Sequence, residues 1–492
     1  MNRPIRVMAI GCLLLFVALM LNVNYVQFIA ADSLNDRSGN SRVLDAEFSR
    51  ERGPILVAGK PVAQSVPSND RYDYQREYPS AYQYANLTGY YYLFGRTGIE
   101  NSQNSILSGS DPKLFVNRVA DMVSSQQPEG GQVSLTIDPA VQRAAFQGLI
   151  ALPGDSAGAA VAIDPESGAI LAMTSVPSYD PNELTSHDSG DVSDAYDRLS
   201  KDPAKPLLDR SRLDIFPPGS TFKLVTAAAA LSDETLGLSP DSRVRAGYTL
   251  DFPGITYQLV NSSGSNCGGD TITLTTALVV SCNTAFGRIA MKVGEEALVA
   301  QAEKFGFGDS SYLDDLSMAA SQVVADGAGD LDAPQTARTG IGQENVAATP
   351  LQMAMVVAGI ANQGTVMKPY LVDETRSPDL EVLEGADPQE LSEAVTPAVA
   401  AELTAMMEAV VTDGTASVAA IPDVRVAGKT GTAQTEDERK PYAWFVSFAP
   451  ADDPQIAVAV FIQDASGVAR SDIAGGKLAG PIAKSMMEAA LR

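Results

Sequence analysis

The sequence predicts an α+β fold, in which one transmembrane helix and a small β-rich N-terminal domain precede a larger domain with an antiparallel sheet and a helical part. Three observations favour this fold: an apolar run near the N-terminus, strand-like segments near both ends of the larger domain, and alanine-rich helical stretches between those segments. We expect four regions, namely a cytoplasmic tail at 1–6, a transmembrane anchor at 7–31, an N-terminal domain at 32–130 and a larger domain at 131–492.

The anchor is predicted from an uncharged run at residues 7–31 that follows Arg3 and Arg6. At about 1.5 Å per residue, a helix of this length exceeds the roughly 30 Å of hydrocarbon in a bilayer. The basic flank indicates a cytoplasmic N-terminus, which puts the chain after Asp32 outside the cell, with the plasma membrane crossed once. A cleaved signal peptide is the alternative, but the run is long and no small-x-small cleavage site follows its apolar core.

Residues 32–130 contain short strand-like pieces separated by turns, which predicts a small sheet. Eight of the sixteen tyrosines lie between Tyr72 and Tyr92. We expect them to line one apolar face of that sheet, with a carbohydrate or partner surface as the alternative. The polar stretch 124–131, with a proline and two glycines, is the best candidate for a linker between the domains.

The larger domain begins with a predicted strand and ends with a predicted helix. Turn residues at 164–168 and at 450–454 separate pairs of apolar segments, as in β-hairpins. The predicted elements are a strand at 133–138 leading into a helix from Pro139, strands at 159–163 and 169–173, strands at 444–449 and 456–462, and a helix at 481–491.

The composition of the 492 residues restricts the possible chemistry. Hydrophobic residues make up 45% and charged residues 19%, which is an ordinary globular balance and excludes disorder of the whole chain. The net charge of −25 argues against nucleic-acid binding, because such a surface repels phosphates. His187 is the single histidine, so a multi-histidine metal site is excluded and a Ser-His-Asp triad would have to use it. We expect no cofactor.

The first motif is Phe216-Pro-Pro-Gly-Ser-Thr-Phe-Lys223, after which an alanine-rich helix is predicted to begin at Ser220. A serine in this place is usually a simple helix cap. Lys223, however, lies three residues on and shares a helix face with Ser220. A desolvated lysine can be neutral and can accept a serine proton, which makes the pair a candidate nucleophile and base without imidazole.

The second motif is Ser281-Cys-Asn283, which follows the apolar run 274–280. A hydroxyl and a carboxamide two residues apart can relay a proton and hold a substrate amide. A polar helix end is the alternative interpretation.

The third motif is Lys429-Thr-Gly-Thr432, which follows the alternating valines 424 and 426 at the start of a predicted strand. Glycines on both sides of Lys429-Thr430 allow another molecule to approach the backbone. A strand edge with a cation and hydroxyls suits an extended peptide that ends in a carboxylate. An ordinary exposed strand with a lysine is the alternative.

The order S-x-x-K, S-x-N, K-T-G is shared by penicillin-binding proteins and class A β-lactamases. Flanking segments extend the similarity, and together they resemble the transpeptidase domain of penicillin-binding proteins. These segments are 217–223, 340–343, 349–352, 360–364, 162–168 and 429–433, with Arg52-Gly53 and 98–100 in the N-terminal block. The short N-terminal block is similar to that of class B penicillin-binding proteins of actinobacteria, so the resemblance covers nearly the whole predicted exterior part.

The resemblance implies a penicillin-binding fold and a role for each motif residue. Ser220 would be the acylated nucleophile and Lys223 its base, Ser281 would pass a proton to the leaving D-alanine, and Asn283 would bind the peptide amide. Lys429 would lower the pKa of Lys223 and attract the substrate carboxylate. Thr430 and Thr432, beside Gly431, would hydrogen-bond that carboxylate, and the backbone N–H groups of Ser220 and Thr432 would form the oxyanion hole.

The resemblance also implies the partners. The substrates would be peptidoglycan stem peptides ending in D-Ala-D-Ala, with β-lactam antibiotics as inhibitors and a lipid-II polymerase and other division or elongation proteins as companions.

Cys267 and Cys282 would lie in an oxidising compartment and are free to pair as a disulfide, while Cys12 lies in the membrane segment.

Three alternatives stay open at this point. A class A β-lactamase would need a glutamate that positions a hydrolytic water, and no such loop is identified in the sequence. A bifunctional glycosyltransferase would need another whole domain before residue 124. A β-lactam sensor that is acylated once, or a scaffold without activity, would be a binding protein and not an enzyme.

Overall fold

The computed structural model describes residues 2–30, 34, 48–93, 95–114, 129–262, 264–325, 327, 329–434 and 440–492. It begins with helix α1, Asn2–Asn24, which continues into a π-helical turn at Tyr25–Ile29. Large apolar side chains cover the whole surface of α1, and residues such as Leu14 and Phe16 are about as exposed as they would be on an isolated helix. Within the described ranges, Arg3–Gln27 is the one helix that is long and apolar enough to cross a membrane, and it overlaps the predicted anchor at residues 7–27.

In the residues that the structure describes, the strands form six sheets, of which two are large and four are two-stranded. In chain order they are β1 Ile55–Val57, β2 Lys60–Pro67, β3 Tyr74–Glu77, β4 Tyr91–Tyr92, β5 Gly95–Arg96, β6 Gln132–Leu135, β7 Ala157–Ile163, β8 Ile170–Val176, β9 Arg243–Arg245, β10 Thr249–Asp251, β11 Gln258–Val260, β12 Thr271–Thr273, β13 Thr365–Met367, β14 Val372–Arg376, β15 Val382–Gly385, β16 Glu390–Glu393, β17 Ala427–Ala433, β18 Tyr442–Ala449 and β19 Ile456–Asp464.

The remaining α-helices lie mostly between β8 and β17, where the alanine-rich stretches predict them. They are α2 Ala81–Thr88, α3 Gly98–Ser102, α4 Asn104–Leu107, α5 Pro139–Ile150, α6 Ser189–Lys201, α7 Lys223–Ser232, α8 Leu274–Val279, α9 Asn283–Val293, α10 Glu295–Lys304, α11 Ala333–Thr339, α12 Pro350–Ala361, α13 Pro397–Thr412, α14 Gly475–Leu478 and α15 Gly480–Ala490.

The central sheet of the larger domain has five antiparallel strands in the order β17-β18-β19-β7-β8. It joins residues 157–176 to residues 427–464, so the prediction of one sheet built from distant segments is confirmed. Successive residues of β18 from Ala443 to Ala449 are all buried, which shows that both faces of the sheet are covered. The helices α5 and α15 pack on this sheet as one pair, and α12 and α13 pack on it as another.

The second large sheet crosses the predicted domain boundary. Its order is β15-β14-β6-β1-β2-β3, and β6 lies between β1, with which it pairs in parallel, and β14, with which it pairs in antiparallel. Val133 is opposite Ile55 on one side and Thr375 on the other. The expected N-terminal domain at 32–130 therefore shares a sheet with strands from beyond residue 130.

The predicted linker at 124–131 lies outside the described residues except for 129–131. Its last part is closely packed, because Gly130 N donates to Glu51 O at 3.0 Å and Gly53 N donates to Leu107 O at 2.8 Å. A Cβ atom on Gly53 would lie 1.8 Å from Gly131 O. Glycine is required here because two backbone segments touch where the chain passes from one domain to the next.

The tyrosines between Tyr72 and Tyr92 are mainly core residues, but they do not line one face as expected. Five of the eight are buried, and they belong to three separate clusters. Tyr78 and Tyr84 join the main core, Tyr90 packs with Tyr179, and Tyr72 and Tyr91 pack around Phe48. The short, interrupted strands of this region cannot present a single continuous face.

A buried charge network holds the N-terminal domain together. Glu100 is fully buried and accepts hydrogen bonds from Arg52 Nε and Arg76 Nε, both at 2.6 Å, and from Tyr78 Oη at 3.2 Å. Burial would raise the pKa of Glu100, but the two guanidinium groups outweigh this effect and hold that pKa below its usual value. Arg76 Nη1 also donates to the backbone oxygens of Arg52 and Gly53, which ties the network to the glycine contact.

Replacing Glu100 by glutamine should destabilise the fold, because two buried guanidinium groups would lose their anion. We expect a loss of about 3–5 kcal/mol, measured as a lower midpoint of thermal or urea unfolding by circular dichroism. Glu384→Gln is the matched control, since Glu384 pairs with Lys113 on the surface and should change stability by less than about 1 kcal/mol. Similar small shifts for both variants would contradict the assigned role of Glu100.

Candidate active site

Ser220 lies in a tight turn that approaches the edge strand of the central sheet. The sequence predicts a helix from Ser220, but a 3-10 turn spans Gly219–Thr221 and α7 begins at Lys223. Gly219 has a φ of +53°, and a Cβ atom there would lie 3.0 Å from Thr432 O. Its N–H donates to Gly342 O at 2.9 Å. The turn is therefore fixed between β17 and the segment around Gly342, and Ser220 is left partly exposed at its surface.

Lys223 is the first residue of α7 and is completely buried. Its Nζ donates hydrogen bonds to Asn283 Oδ1 at 2.8 Å, to Ser281 O at 2.7 Å and to Ser281 Oγ at 3.1 Å. No hydrogen bond joins the described side chains of Lys223 and Ser220. The first and second motifs thus meet through the ammonium group, while the nucleophile candidate stays beside the groove.

Ser281 and Asn283 lie where α8 ends and α9 begins. Ser281 has a φ of +54°, a conformation that is strained for a residue other than glycine. Asn283 is held from the other side, because its Nδ2 donates to Val260 O at 3.0 Å. This local geometry turns both side chains toward Lys223, which a regular helix end would not do.

Lys429 lies on β17 and is also completely buried. Its Nζ donates to Ser281 Oγ at 3.0 Å and to Thr430 O at 2.8 Å. The hydroxyl of Ser281 is therefore shared by two lysines that come from opposite ends of the larger domain. The structure brings all three sequence motifs together at this one oxygen atom.

The two lysines have strongly perturbed protonation. Burial lowers the pKa of Lys223 well below its usual value, and the nearby charge of Lys429 lowers it further. Burial lowers the pKa of Lys429 to about 7. Since an ammonium group without a carboxylate partner is costly in a dry interior, Lys223 readily exists as the neutral amine, which can accept a proton.

The residues that follow Lys429 have separate environments. Thr430 Oγ1 is hydrogen-bonded to Thr415 Oγ1 at 2.7 Å, whereas Thr432 lines the groove beside Ser220. A Cβ atom on Gly431 would lie 2.9 Å from Pro218 O, so glycine allows the nucleophile turn to rest on the strand. Of the two threonines, Thr432 is the one that meets the groove.

A groove of about 510 Å³ lies next to Ser220 and is lined by neutral polar and apolar residues with one arginine. Its lining consists of Ser220, Tyr257, Gln258, Leu259, Val260, Asn261, Ser262, Asn283, Arg338, Ile341, Gln343, Thr432 and Gln434. Three of these lining residues are not predicted from the sequence, namely Tyr257, Ser262 and Arg338. They lie in loops and helix ends without a motif of their own, so only the fold reveals their position.

A disulfide joins Cys267 to Cys282, the residue between Ser281 and Asn283. It closes the loop that carries β12 and α8 onto the start of α9. Asn261 supports the same place, since its Oδ1 accepts from Thr284 N at 3.0 Å and its Nδ2 donates to Ser265 O at 2.7 Å. The second motif is thereby held from both sides.

His187 and metal ligands have no part in this site. His187 Nδ1 contacts Asp70 Oδ2 at 2.6 Å and its ring packs against Tyr72, so a Ser-His-Asp arrangement with Ser220 is excluded. In the described ranges of the chain, histidine, cysteine and carboxylate side chains form no group able to hold a metal ion. The arrangement supports nucleophilic acyl transfer by a serine whose base is a neutral lysine.

Removing the disulfide should destabilise the second motif. For Cys267 and Cys282, which are 15 residues apart, the entropy model predicts a loss of about 3 kcal/mol in the double serine variant. The measurement is thermal unfolding by circular dichroism, with Cys12→Ser as the control because Cys12 is exposed on α1. Equal unfolding midpoints for the parent and the double variant would contradict this prediction.

Comparisons with known proteins agree with this geometry. Residues 158–488 match the family model of the penicillin-binding protein transpeptidase domain, and residues 52–133 match the penicillin-binding protein A dimerisation domain. Peptidoglycan D,D-transpeptidase PbpA of Mycolicibacterium smegmatis is 41% identical over 498 residues, which cover 100% of this chain and 99% of the relative.

Solved structures of penicillin-binding proteins are also similar to this chain. The penicillin G acyl-enzyme complex of penicillin-binding protein A from M. tuberculosis has a TM-score of 0.82 and 40% identity, with 90% of this chain and 100% of that chain covered. Pseudomonas aeruginosa PBP2 has a TM-score of 0.74 and 29% identity, with 90% and 95% covered. The predicted fold and the resemblance stated from the sequence are therefore confirmed, and the chain belongs to the penicillin-binding protein transpeptidase family.

Proposed function

We propose that this chain is a peptidoglycan D,D-transpeptidase, which crosslinks stem peptides through an acyl-enzyme on Ser220 with release of D-alanine. The observation that carries the proposal is the meeting of Lys223, Ser281 and Lys429 at one hydroxyl, with Lys223 three residues after Ser220 in the chain. The family membership and the acyl-enzyme complex of a relative support it. The same site would be acylated by β-lactams.

In the acylation step, neutral Lys223 takes the proton of Ser220 while Oγ of Ser220 attacks the carbonyl carbon between the two D-alanines. The C–N bond to the terminal D-alanine then breaks, and its amine needs a proton. Ser281 supplies it, because its hydroxyl is hydrogen-bonded to both lysines and can be reprotonated by either one. Asn283 keeps Lys223 in place and presents its amide to the substrate peptide.

In the second step, an amine of a neighbouring stem peptide attacks the acyl-enzyme. A new amide bond forms, Ser220 regains its proton and the crosslink is complete. The described lining of the groove contains no acidic residue that could activate water in place of the amine.

The substrate carboxylate is expected at β17. Lys429 supplies positive potential there, and Thr432, with Thr430 behind it, supplies hydroxyl groups. The backbone N–H groups of Ser220 and Thr432 form the oxyanion hole in this proposal, with about 3 kcal/mol of transition-state stabilisation for each donor. The contact between Gly219 and Thr432 supports it, because it keeps the two backbone segments adjacent.

We further propose that α1 crosses the plasma membrane once and that the transpeptidase domain is outside the cell. The basic residues Arg3 and Arg6 before the apolar run support this orientation. The substrates of cell-wall synthesis are then on the same side as the groove. Growth and division would require a lipid-II polymerase and other elongation or division proteins nearby.

Replacing Ser220 by alanine should abolish covalent labelling by benzylpenicillin. Intact mass of the full-length chain in detergent should show one drug adduct for the parent and none for Ser220→Ala. Ser262→Ala is the matched control, because Ser262 lines the same groove and is not the nucleophile. An adduct on Ser220→Ala would overturn the assignment, and rapid drug hydrolysis without an adduct on the parent would indicate a β-lactamase.

The acylation rate should rise with pH as Lys223 loses its proton, and it should level off well below the usual pKa of lysine. Burial and then Lys429 lower the pKa of Lys223, so Lys429→Gln should raise that pKa and move the rising limb to higher pH. Benzylpenicillin acylation rates, followed from about pH 5 to 9, test this shift. Lys477→Gln is the control, since Lys477 pairs with Asp472 on the surface. If the acylation rate of Lys429→Gln rises over the same pH range as that of the parent, the effect of Lys429 on the pKa of Lys223 is contradicted.

A further inference from the structure

The groove beside Ser220 has an unusual charge for this chain. The chain carries 60 acidic residues and a net charge of −25. Yet no acidic residue lines the described groove, and Arg338 is the one charged residue in its lining. Lys223 and Lys429 are buried behind the groove and do not line it. A single cation among the described lining residues favours a ligand with a negative group at that place.

Arg338 is held in a defined position relative to the nucleophile. It lies in the last turn of α11, and its carbonyl oxygen accepts from Ile341 N and Gln343 N, both at 3.1 Å. In the same short segment, Gly342 O accepts from Gly219 N at 2.9 Å. Only a few hydrogen-bonded residues therefore separate Arg338 from the turn that carries Ser220, so a ligand group bound by Arg338 is positioned relative to the reacting serine.

The guanidinium group of Arg338 is oriented but not saturated. Its Nη1 lies 2.8 Å from Glu344 Oε2, and its Cζ lies 5.9 Å from the centre of the Tyr257 ring. Glu344 is outside the groove lining and its side chain is 16% exposed, whereas that of Arg338 is 41% exposed. Within the described part of the chain, the guanidinium makes no other polar contact, and a guanidinium has five N–H donors.

We propose that Arg338 is a specificity-determining residue that binds a second carboxylate of the peptidoglycan peptide, distinct from the terminal carboxylate. The inference rests on the proposed function, which already assigns the terminal carboxylate to β17. A planar guanidinium binds a carboxylate through two parallel hydrogen bonds. Stem peptides carry further carboxyl groups, which are either free or converted to amides, so Arg338 favours peptides that keep the free acid. The carboxylate comes from the acyl donor or from the acceptor.

The donor is tested with two β-lactams that differ by one carboxylate. Carbenicillin is benzylpenicillin with an added side-chain carboxylate, and both drugs mimic the donor peptide. We expect Arg338→Gln to lower the second-order acylation rate constant for carbenicillin by about three- to tenfold relative to benzylpenicillin. Arg338→Lys should restore part of this ratio, and added salt should weaken the parent's preference. Arg425→Gln is the control, since Arg425 is exposed and pairs with Glu408.

The acceptor is tested by crosslinking with one donor peptide and two acceptor amines, one with a free carboxylate beside its reactive centre and one with the amide. In this assay, Arg338→Gln should raise KM for the free acid and leave KM for the amide unchanged. A loss of preference for the free carboxylate in either the donor assay or the acceptor assay supports the inference. The assay that shows this loss identifies the peptide, donor or acceptor, whose carboxylate Arg338 binds. All measurements use the full-length chain in detergent.

Two results would overturn the inference. One is an equal slowing of both drugs and both acceptors in Arg338→Gln, which indicates a structural role only. The other is an unchanged preference in both assays. Acylation of the parent chain by benzylpenicillin with either of these results leaves the proposed function intact. Absence of acylation of the parent chain would instead overturn the proposed function, and the inference with it.

Discussion

Two lysine side chains share one hydroxyl oxygen in the interior of this protein, and no carboxylate of the described residues pairs with either of them. Lys223 and Lys429 are both fully buried and both contact Ser281 Oγ, and their other partners are neutral oxygens. The repulsion between two ammonium groups at such distances can be relieved only if one of them gives up its proton. The chemistry of the site follows from this constraint, because a buried neutral amine is the base that a chain with a single histidine otherwise lacks.

The surrounding structure keeps this unfavourable arrangement in place. The central sheet fixes Lys429 through β17, α7 fixes Lys223, and the disulfide with the strained backbone of Ser281 fixes the hydroxyl between them. The free energy that offsets the cost of these contacts comes from the large hydrophobic core that packs on both faces of the sheet. A strained site supported by a well-packed scaffold is typical of enzymes that keep their catalytic groups in position before substrate binds.

The sequence predicts those elements of the fold that form between residues close to one another in the chain. The hairpin around 164–168, the C-terminal helix, the apolar first helix and the three motifs are visible because spacing and turn residues reveal them. The sharing of one sheet by β1, β6 and β14 is not visible, since the pairing of Val133 with Thr375, 242 residues apart, leaves no local signal. Arg338 and Tyr257 were missed for the same reason, because a groove is formed by segments that meet only after folding.

The shared sheet has a consequence for how such proteins can exchange parts. A chimera cut near residue 130 would combine β1 and β2 of one parent with β6, β14 and β15 of another, so the β1–β6 pairing in the middle of that sheet would become a junction between unrelated partners. The contact of Gly53 with Gly131 tolerates no added side chain at the same junction. When parts are exchanged between such chains, the whole exterior part should therefore be exchanged as one unit. Substitutions in the N-terminal domain should also occur together with substitutions around residues 372–385.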